Sequence, residues 1–221
     1  MLDRVLDFSQ SLWLLAFVIY LADATRLIEP GQLLLLERSR GRLQPILARV
    51  PFEVARQELY FPGALQPVRG VFLSRWIGTA PAAALALDRL EPLRNKLLIF
   101  RIISASNMAL LFLAAPILTH VFGLGAALRV VAPLVYLQNI LAGSLLLANG
   151  KSLGLSRTSA AWLYFDSLLC APYGANWVKR IARRQPPLQA DVTELAERFP
   201  VQSAARIRAV LDQRRAEVAA E

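Results

Sequence analysis

The sequence has very little of the two side chains that most often bind transition metals. Its one cysteine is Cys170 and its one histidine is His120. A single cysteine excludes a disulfide within the chain and a thiolate zinc cluster, and a single histidine excludes an imidazole-rich site. We therefore predict neither a metal nor a cofactor. His120 is expected to cap a helix end or to be solvated, and Cys170 to be a small apolar residue.

Known catalytic signatures are also missing from the sequence. There is no G-x-S-x-G, no phosphate-binding P-loop, no H-E-x-x-H, and no G-x-G-x-x-G after a predicted strand. Intramembrane enzymes can use isolated acids, so these absences leave enzymatic activity open.

What the chain has in excess is apolar surface and positive charge. Of its 221 residues 56% are hydrophobic, and its formal net charge is +9. Soluble domains are usually about 45 to 50% apolar. Basic segments of membrane proteins mark the cytoplasmic side. RNA binding would need aromatic residues among the basic ones, and here the aromatic residues lie in the apolar segments. We predict a mainly α-helical, polytopic protein of a bacterial inner membrane, with no nucleic-acid partner.

Three segments have the length and composition of transmembrane helices. They are residues 8–28, 97–118 and 130–148, and the turn sequence FGLG at 122–125 makes the second and third a hairpin. Residues 160–178 resemble a fourth span. There, however, the free energy of membrane insertion that Asp166 costs is about as large as the apolar residues contribute, and Pro172 and Gly174 break the helix. We predict an interfacial or re-entrant segment.

Topology follows from the basic residues. Ten Lys and Arg residues lie in 38–96 and nine in 179–221, so both regions should be cytoplasmic and the N-terminus periplasmic. The predicted organisation is an N-terminal anchor at 1–28, a cytoplasmic β-prone basic loop at 29–96, a transmembrane hairpin at 97–148, an interfacial or re-entrant segment at 149–184 and a soluble helical tail at 185–221.

The cytoplasmic loop and the tail have predicted elements of their own. The stretch 31–50 reads as two strands flanking RSRG, 68–76 as a further strand, and 82–90 as a short helix ending at Glu91-Pro92. Asp191 with Glu194 starts a helix in the tail, and a second helix covers 201–220.

Several polar residues within the apolar segments need partners. Asp23 and Arg101 fall at similar depth, about 6 to 8 Å below one surface, so we predict a structural intramembrane pair, with a proton or ion relay through Asp23 as the alternative. Asn107, Gln138 and Asn139 lie deeper. They should form hydrogen bonds between the hairpin helices, although a substrate pathway is the other reading.

Asp166 and the basic residues after it are the remaining candidates. Asp166 either pairs with Lys151, Arg157 or Lys179, or acts as a catalytic or coupling carboxylate. Lipid head groups are expected to contact a basic set: Lys179, Arg180, Arg183 and Arg184.

These observations favour a non-catalytic accessory or scaffold subunit of a membrane complex. Expected partners are anionic membrane lipids and other membrane subunits or further copies of the chain. A component of a transporter or of an ion or proton pathway, and a membrane-embedded lipid-modifying enzyme using Asp166, are the alternatives.

Overall fold

Most of the residues that the computed structural model describes are helical, as predicted. The structure describes residues 8–28, 32–37, 43–45, 53–54, 57–60, 68–75 and 90–187, and the single positions 209, 212 and 216. These residues belong to two units: a helical unit that includes α1 and everything from Lys96 to Arg184, and a sheet unit that contains the strands and most of α2.

Apart from α2 and the single positions 209, 212 and 216, the described helical residues belong to the helical unit. Two short 3₁₀ segments and one π-helical turn lie between its α-helices. The α-helices are α1 (Phe8–Ala24), α2 (Leu90–Lys96), α3 (Leu98–Ala109), α4 (Ala115–Phe122), α5 (Leu124–Asn149), α6 (Arg157–Leu169) and α7 (Trp177–Arg183). The π-helical turn is Leu110–Ala114, and the 3₁₀ segments are Gly150–Leu153 and Ala171–Asn176.

Two of the described helical stretches are long and apolar enough to cross a membrane. Leu98–Phe122 has 25 residues and Leu124–Leu153 has 30, and only 33% of the most apolar part of each is buried inside the protein. These stretches coincide with the predicted hairpin. The first predicted span gives a shorter apolar helix, Gln10–Ala24 within α1.

The predicted extension of the first helix to Ile28 is wrong. Helix α1 ends at Ala24, and Arg26–Ile28 forms strand β1, which pairs antiparallel with a strand of the sheet unit. Backbone groups that would have continued the helix instead form ladder hydrogen bonds, so α1 has 17 residues and is about 25 Å long.

The three apolar helical stretches, α1, Leu98–Phe122 and Leu124–Leu153, alternate in direction. Trp13 near the start of α1 donates to Thr119 near the end of α4, and Tyr20 near the end of α1 contacts Phe112 in the π-helical turn. At the hairpin turn Gly123 has φ +81°, a conformation that favours glycine, so the expected turn is confirmed at this residue. Leu111, Ala115, Val131 and Val135 form the apolar core between the two hairpin helices.

The predicted strands of the basic loop are confirmed. In the first three-stranded sheet β2 (Gln32–Glu37) pairs antiparallel with β3 (Leu43–Pro45) and with β6 (Val71–Arg75). The second contains β1, β5 (Gln57–Tyr60) and β4 (Glu53–Val54), in the order β1-β5-β4.

Glu91-Pro92 begins a helix and does not end one. Helix α2 starts at Leu90, so Pro92 lies in its first turn, where a missing N–H removes no intrahelical hydrogen bond. The predicted end at this dipeptide is therefore wrong, and positions 82–89 of that prediction lie outside the described residues. The two predicted helices of the tail also lie outside them, apart from positions 209, 212 and 216.

Pro172 and Gly174 predicted a break in the segment 160–178, and the structure has one: the segment is not one continuous helix. Helix α6 starts after Ser156, whose hydroxyl accepts from the Ser159 N–H at 3.1 Å, and ends at Leu169. The 3₁₀ segment Ala171–Asn176 follows, and α7 begins at Trp177.

Helices α5 and α6 approach so closely at Gly143 that no room is left there for a side chain. A Cβ at this position would overlap the ring of Tyr164, so Gly143→Ala should lower the free energy of unfolding by about 1 to 3 kcal/mol. Gly125→Ala is the matched control. A Cβ there meets nothing within 4 Å, and the change should be neutral or stabilising by up to about 1 kcal/mol. Unfolding midpoints of the purified variants measure both, and equal midpoints would contradict the close approach.

Candidate functional site: a buried charged cluster

The candidate site lies at the last turn of α1. Tyr20 is fully buried there, and its ring packs 6.1 Å from that of Phe17 and 5.2 Å from that of Phe112, measured between centroids. Asp23 follows three residues later, on the same side of the helix at 3.6 residues per turn. Its side chain is 10% exposed. A carboxylate this buried needs hydrogen bonds or an opposite charge.

Asn176, at the end of the second 3₁₀ segment, supplies one of these contacts. Its Nδ2 donates to the Tyr20 carbonyl oxygen at 2.9 Å and to Oδ2 of Asp23 at 3.0 Å. The side chain is fully buried. A single amide therefore joins the end of α1 to the segment before α7.

Arg180 supplies the opposite charge and joins two acids. Its Nη2 donates to Oδ2 of Asp166 at 2.5 Å, and its Nε lies 3.8 Å from Oδ1 of Asp23. Its guanidinium carbon lies 4.4 Å from the centroid of the Tyr173 ring. One planar group thus contacts α1, α6 and the 3₁₀ segment that precedes its own helix, which a flexible ammonium group is less suited to do.

Two further cations complete the site. Lys179 Nζ donates to the Tyr20 hydroxyl at 3.3 Å and lies 5.1 Å from the centre of that ring, and an Arg183 Nη2 donates to the Asp23 carbonyl oxygen. Burial lowers the pKa of Lys179 to about 8, against the attraction of Asp23, which raises it. Asp23, Asp166, Lys179, Arg180 and Arg183 are called the charged cluster below.

A second polar group, the amide cluster, lies between α3, α5 and the 3₁₀ segment. Nδ2 of Asn107 donates to Oδ1 of Asn139 at 3.0 Å, Nδ2 of Asn139 donates to the Ser167 carbonyl oxygen at 3.0 Å, and the Trp177 indole donates to Asn139 at 3.4 Å. Gly174 packs directly on this pair, since a Cβ there would lie 2.7 Å from Asn107 Nδ2 and closer still to Asn139 Oδ1. Gly174 thus lets the 3₁₀ backbone approach the hairpin.

The hydrogen bonds expected between the hairpin helices are present. Besides the Asn107–Asn139 bond, Nε2 of Gln138 donates to the Ser106 hydroxyl at 3.0 Å. All the amide side chains singled out from the sequence therefore take part in contacts between α3 and α5. Their depth in a membrane stays a prediction.

The structure assigns the predicted acids to partners that the sequence did not single out. Asp23 contacts Asn176 and Arg180, while Arg101 lies partly buried on α3, and the Asp23–Arg101 pair stays a prediction. Asp166 contacts Arg180. Of its three predicted partners, Lys179 directs its ammonium group to Tyr20, and Lys151 and Arg157 are exposed.

The four basic residues predicted to contact lipid differ in exposure. Lys179 and Arg180 are buried, Arg183 is half-buried and Arg184 is exposed. Two of the four therefore face the interior of the helical unit. Their contact with head groups stays a prediction.

Sequence reasoning missed Tyr20 and Asn176 as members of the site. A signal for Asn176 was present, because an amide flanked by the apolar residues Ala175 and Trp177 needs partners when it is buried. The sequence held no signal for which partners these would be, since Asn176 is 153 residues from Asp23.

Chemically, the site can hold charge and fix geometry. Within the described part of the chain, no group of three or more His, Cys, Asp and Glu side chains could hold a metal ion. His120 lies in the last turn of α4 and Cys170 is a partly buried thiol at the end of α6. No family model matches the chain, and comparisons with curated proteins and with solved structures found no match.

Removing the guanidinium tests how much the charged cluster contributes. Arg180→Gln leaves two carboxylates without their shared cation, so the free energy of unfolding should fall by about 3 to 5 kcal/mol. Arg157→Gln is the control. It removes the same charge from an exposed position of α6 and should change the free energy of unfolding by less than about 0.5 kcal/mol.

A third variant separates lost pairing from lost packing. In the Asp23→Asn background, Arg180→Gln should cost less than it does alone, because part of the uncompensated charge is already removed. Chemical denaturation of the four proteins measures this coupling. Strictly additive losses would show that Arg180 and Asp23 are not coupled.

Proposed function

We propose that the protein is an integral protein of a bacterial inner membrane with three transmembrane helices, acting as a non-catalytic accessory or scaffold subunit of a membrane complex. Its N-terminus would be periplasmic, and the loop 29–96 and the C-terminal tail cytoplasmic. The observation that carries the membrane location is the low burial of the two longest apolar helices.

Helices buried in the core of a soluble protein are mostly covered by other residues, and these are not. Only a third of the most apolar part of each is buried, and large apolar side chains are exposed along α3, α4 and α5. Those more than half exposed include Leu98, Ile102, Leu113, Ile117, Val121, Phe122, Val130 and Leu137. Exposed apolar surface on this scale is unfavourable in water and favourable in hydrocarbon. At about 37 and 45 Å the two helices exceed a hydrocarbon core of about 30 Å.

Helix α1 supports a third span. It has 17 residues, the lower limit for crossing, and Leu14, Leu15 and Val18 are about half exposed. It also runs antiparallel to α3 and α4, as three spans connected by one long loop and one tight turn require.

The path of the chain after α5 supports a re-entrant segment. Tyr164 packs on Gly143 and the Ser167 carbonyl accepts from Asn139, so α6 runs back along α5. Gly174 then lies at the amide pair, near the middle of the long helices, and Arg183 contacts the last turn of α1. The segment would thus enter and leave on the cytoplasmic side.

The contacts of the two acids support a structural role. Both Asp23 and Asp166 contact Arg180, and Asp23 also accepts from Asn176. A relay or a catalytic carboxylate needs to exchange protons or meet a substrate, whereas these contacts hold three elements together. A scaffold subunit needs such fixed geometry so that its outer surfaces have defined positions.

Cysteine labelling tests the topology. With Cys170→Ser as background, Phe122→Cys places a thiol at the hairpin turn, where the side chain is 67% exposed, and Arg42→Cys places one in the basic loop. A membrane-impermeant maleimide should label position 122 in intact cells, and position 42 only after lysis. Labelling at 42 in intact cells would contradict the proposed orientation.

Purification tests the accessory role. In a mild detergent the chain should elute together with a second membrane protein, or with further copies of itself, at a constant ratio through two successive columns. Light scattering of the protein fraction should give a mass above one chain of 24.5 kDa. A single chain that runs alone at every detergent concentration would overturn this role.

A further inference from the structure

Two buried oxygen atoms of α3, beside the amide cluster, have no hydrogen-bond partner among the described residues. They are Oγ of Ser104 and Oδ1 of Asn107. The two residues are three positions apart on the helix, so they share one face of it, and both are fully buried. Buried polar atoms are nearly always bonded, either to a protein group or to an ordered water molecule. These two oxygens therefore point to a bound molecule.

Reversing the Asn107 amide would not satisfy its oxygen. Asn139 accepts from the Trp177 indole through Oδ1 and donates to the Ser167 carbonyl oxygen through Nδ2. These two contacts fix which end of the Asn139 amide is the oxygen, and that oxygen faces Asn107. Asn107 must therefore present its Nδ2 to Asn139, so its own Oδ1 faces another direction and needs a donor there.

Trp177 and Gly174 close the space beside these oxygens. The ring of Trp177 lies 6.2 Å from that of Phe100, which is one turn before Ser104 on α3, and its N–H donates to the amide cluster. Gly174 packs on Asn107, because a Cβ there would lie 2.7 Å from Nδ2 of the amide. A helical side chain lies over the turn that precedes its own Cα, so Asn107 extends towards Ser104.

The size and the charge of the surroundings limit what can bind. Cβ atoms three residues apart on a helix are about 5 to 6 Å apart, and one small molecule with two hydrogen bonds of about 2.8 Å spans that distance. Because Asn107 Oδ1 can only accept, an anion is disfavoured. A cation is also disfavoured, since Lys179 and Arg180 follow Trp177 within three residues and both oxygens are neutral.

We propose that Ser104 and Asn107 bind one internal water molecule. The water accepts from the Ser104 hydroxyl and donates to Oδ1 of Asn107. Its second hydrogen donates to the Phe100 carbonyl oxygen, which has a lone pair besides the one used within the helix. Both oxygens are then satisfied where α3 contacts the start of α7. The site does not depend on the proposed membrane location, because these residues are buried inside the helical unit whether lipid or water surrounds it.

A crystal structure of the full chain, at a resolution that shows ordered water, tests the site. One water peak should lie about 2.6 to 3.2 Å from both Ser104 Oγ and Asn107 Oδ1. Absence of a peak that contacts both atoms would overturn the site, and rotation of the Ser104 hydroxyl to the Phe100 carbonyl would then explain how that hydroxyl is satisfied. A peak with more than about four oxygen neighbours, lost when sodium is replaced by choline, would overturn the water in favour of a cation.

Ser104→Ala and Ser106→Ala form a matched pair on α3. Ser104→Ala removes one partner of the water, so the peak should be lost in this variant. Ser106 accepts instead from Gln138 at 3.0 Å, and Ser106→Ala should leave the peak in place. Loss in both variants, or retention in Ser104→Ala, would overturn the part assigned to Ser104. If Ser104→Ala does not fold, the peak in the wild-type structure decides.

Discussion

The guanidinium of Arg180 is the contact on which the rest of the helical unit depends. It reaches Asp166 at 2.5 Å and Asp23 at 3.8 Å, so α1, α6 and α7 must all be in place before Arg180 can contact both acids. A buried ion pair contributes little net stability, because desolvation offsets the attraction, but an unpaired buried charge is costly. The arrangement therefore selects one geometry by making the alternatives unfavourable.

A preference for one geometry matters most where apolar packing alone cannot determine how the helices are arranged. Between helices in lipid, apolar side chains contact hydrocarbon as readily as each other, so hydrogen bonds and close backbone approaches determine the arrangement. The amide pair Asn107 and Asn139 is such a device, with Gly174 lying directly on it. The same pair accepts a bond from Trp177, the first residue of α7. The amide and charged clusters thus position the two ends of one short segment.

Local sequence patterns predicted much of this fold, but they did not predict which side chains far apart in the sequence contact each other. The hairpin turn at Gly123 and the strands on either side of RSRG depend on neighbouring residues, so they could be read from the sequence. Pro92 was misread because proline suits the first turn of a helix as well as the position after its end. The partners of Asp23 were missed for another reason. Several basic residues could lie at a depth similar to that of Asp23, and only the three-dimensional path of residues 157–183 brings Arg180 to this acid.

In the proposed membrane arrangement, the position of Asp23 at the end of α1 constrains the path of α7. Asp23 lies in the last turn of a 17-residue helix, and a carboxylate is least costly near the end of a span, where water and head groups are close. Its partner must lie at the same depth, so with α1 as a proposed span, Arg180 and Arg183 would hold α7 near that boundary. Because α6 starts close after the end of α5 and α7 ends beside the last turn of α1, both ends of this segment would lie on one side of the proposed membrane. A fourth crossing would separate Arg180 from Asp23 by the thickness of the hydrocarbon, and the ion pair thus favours a re-entrant path.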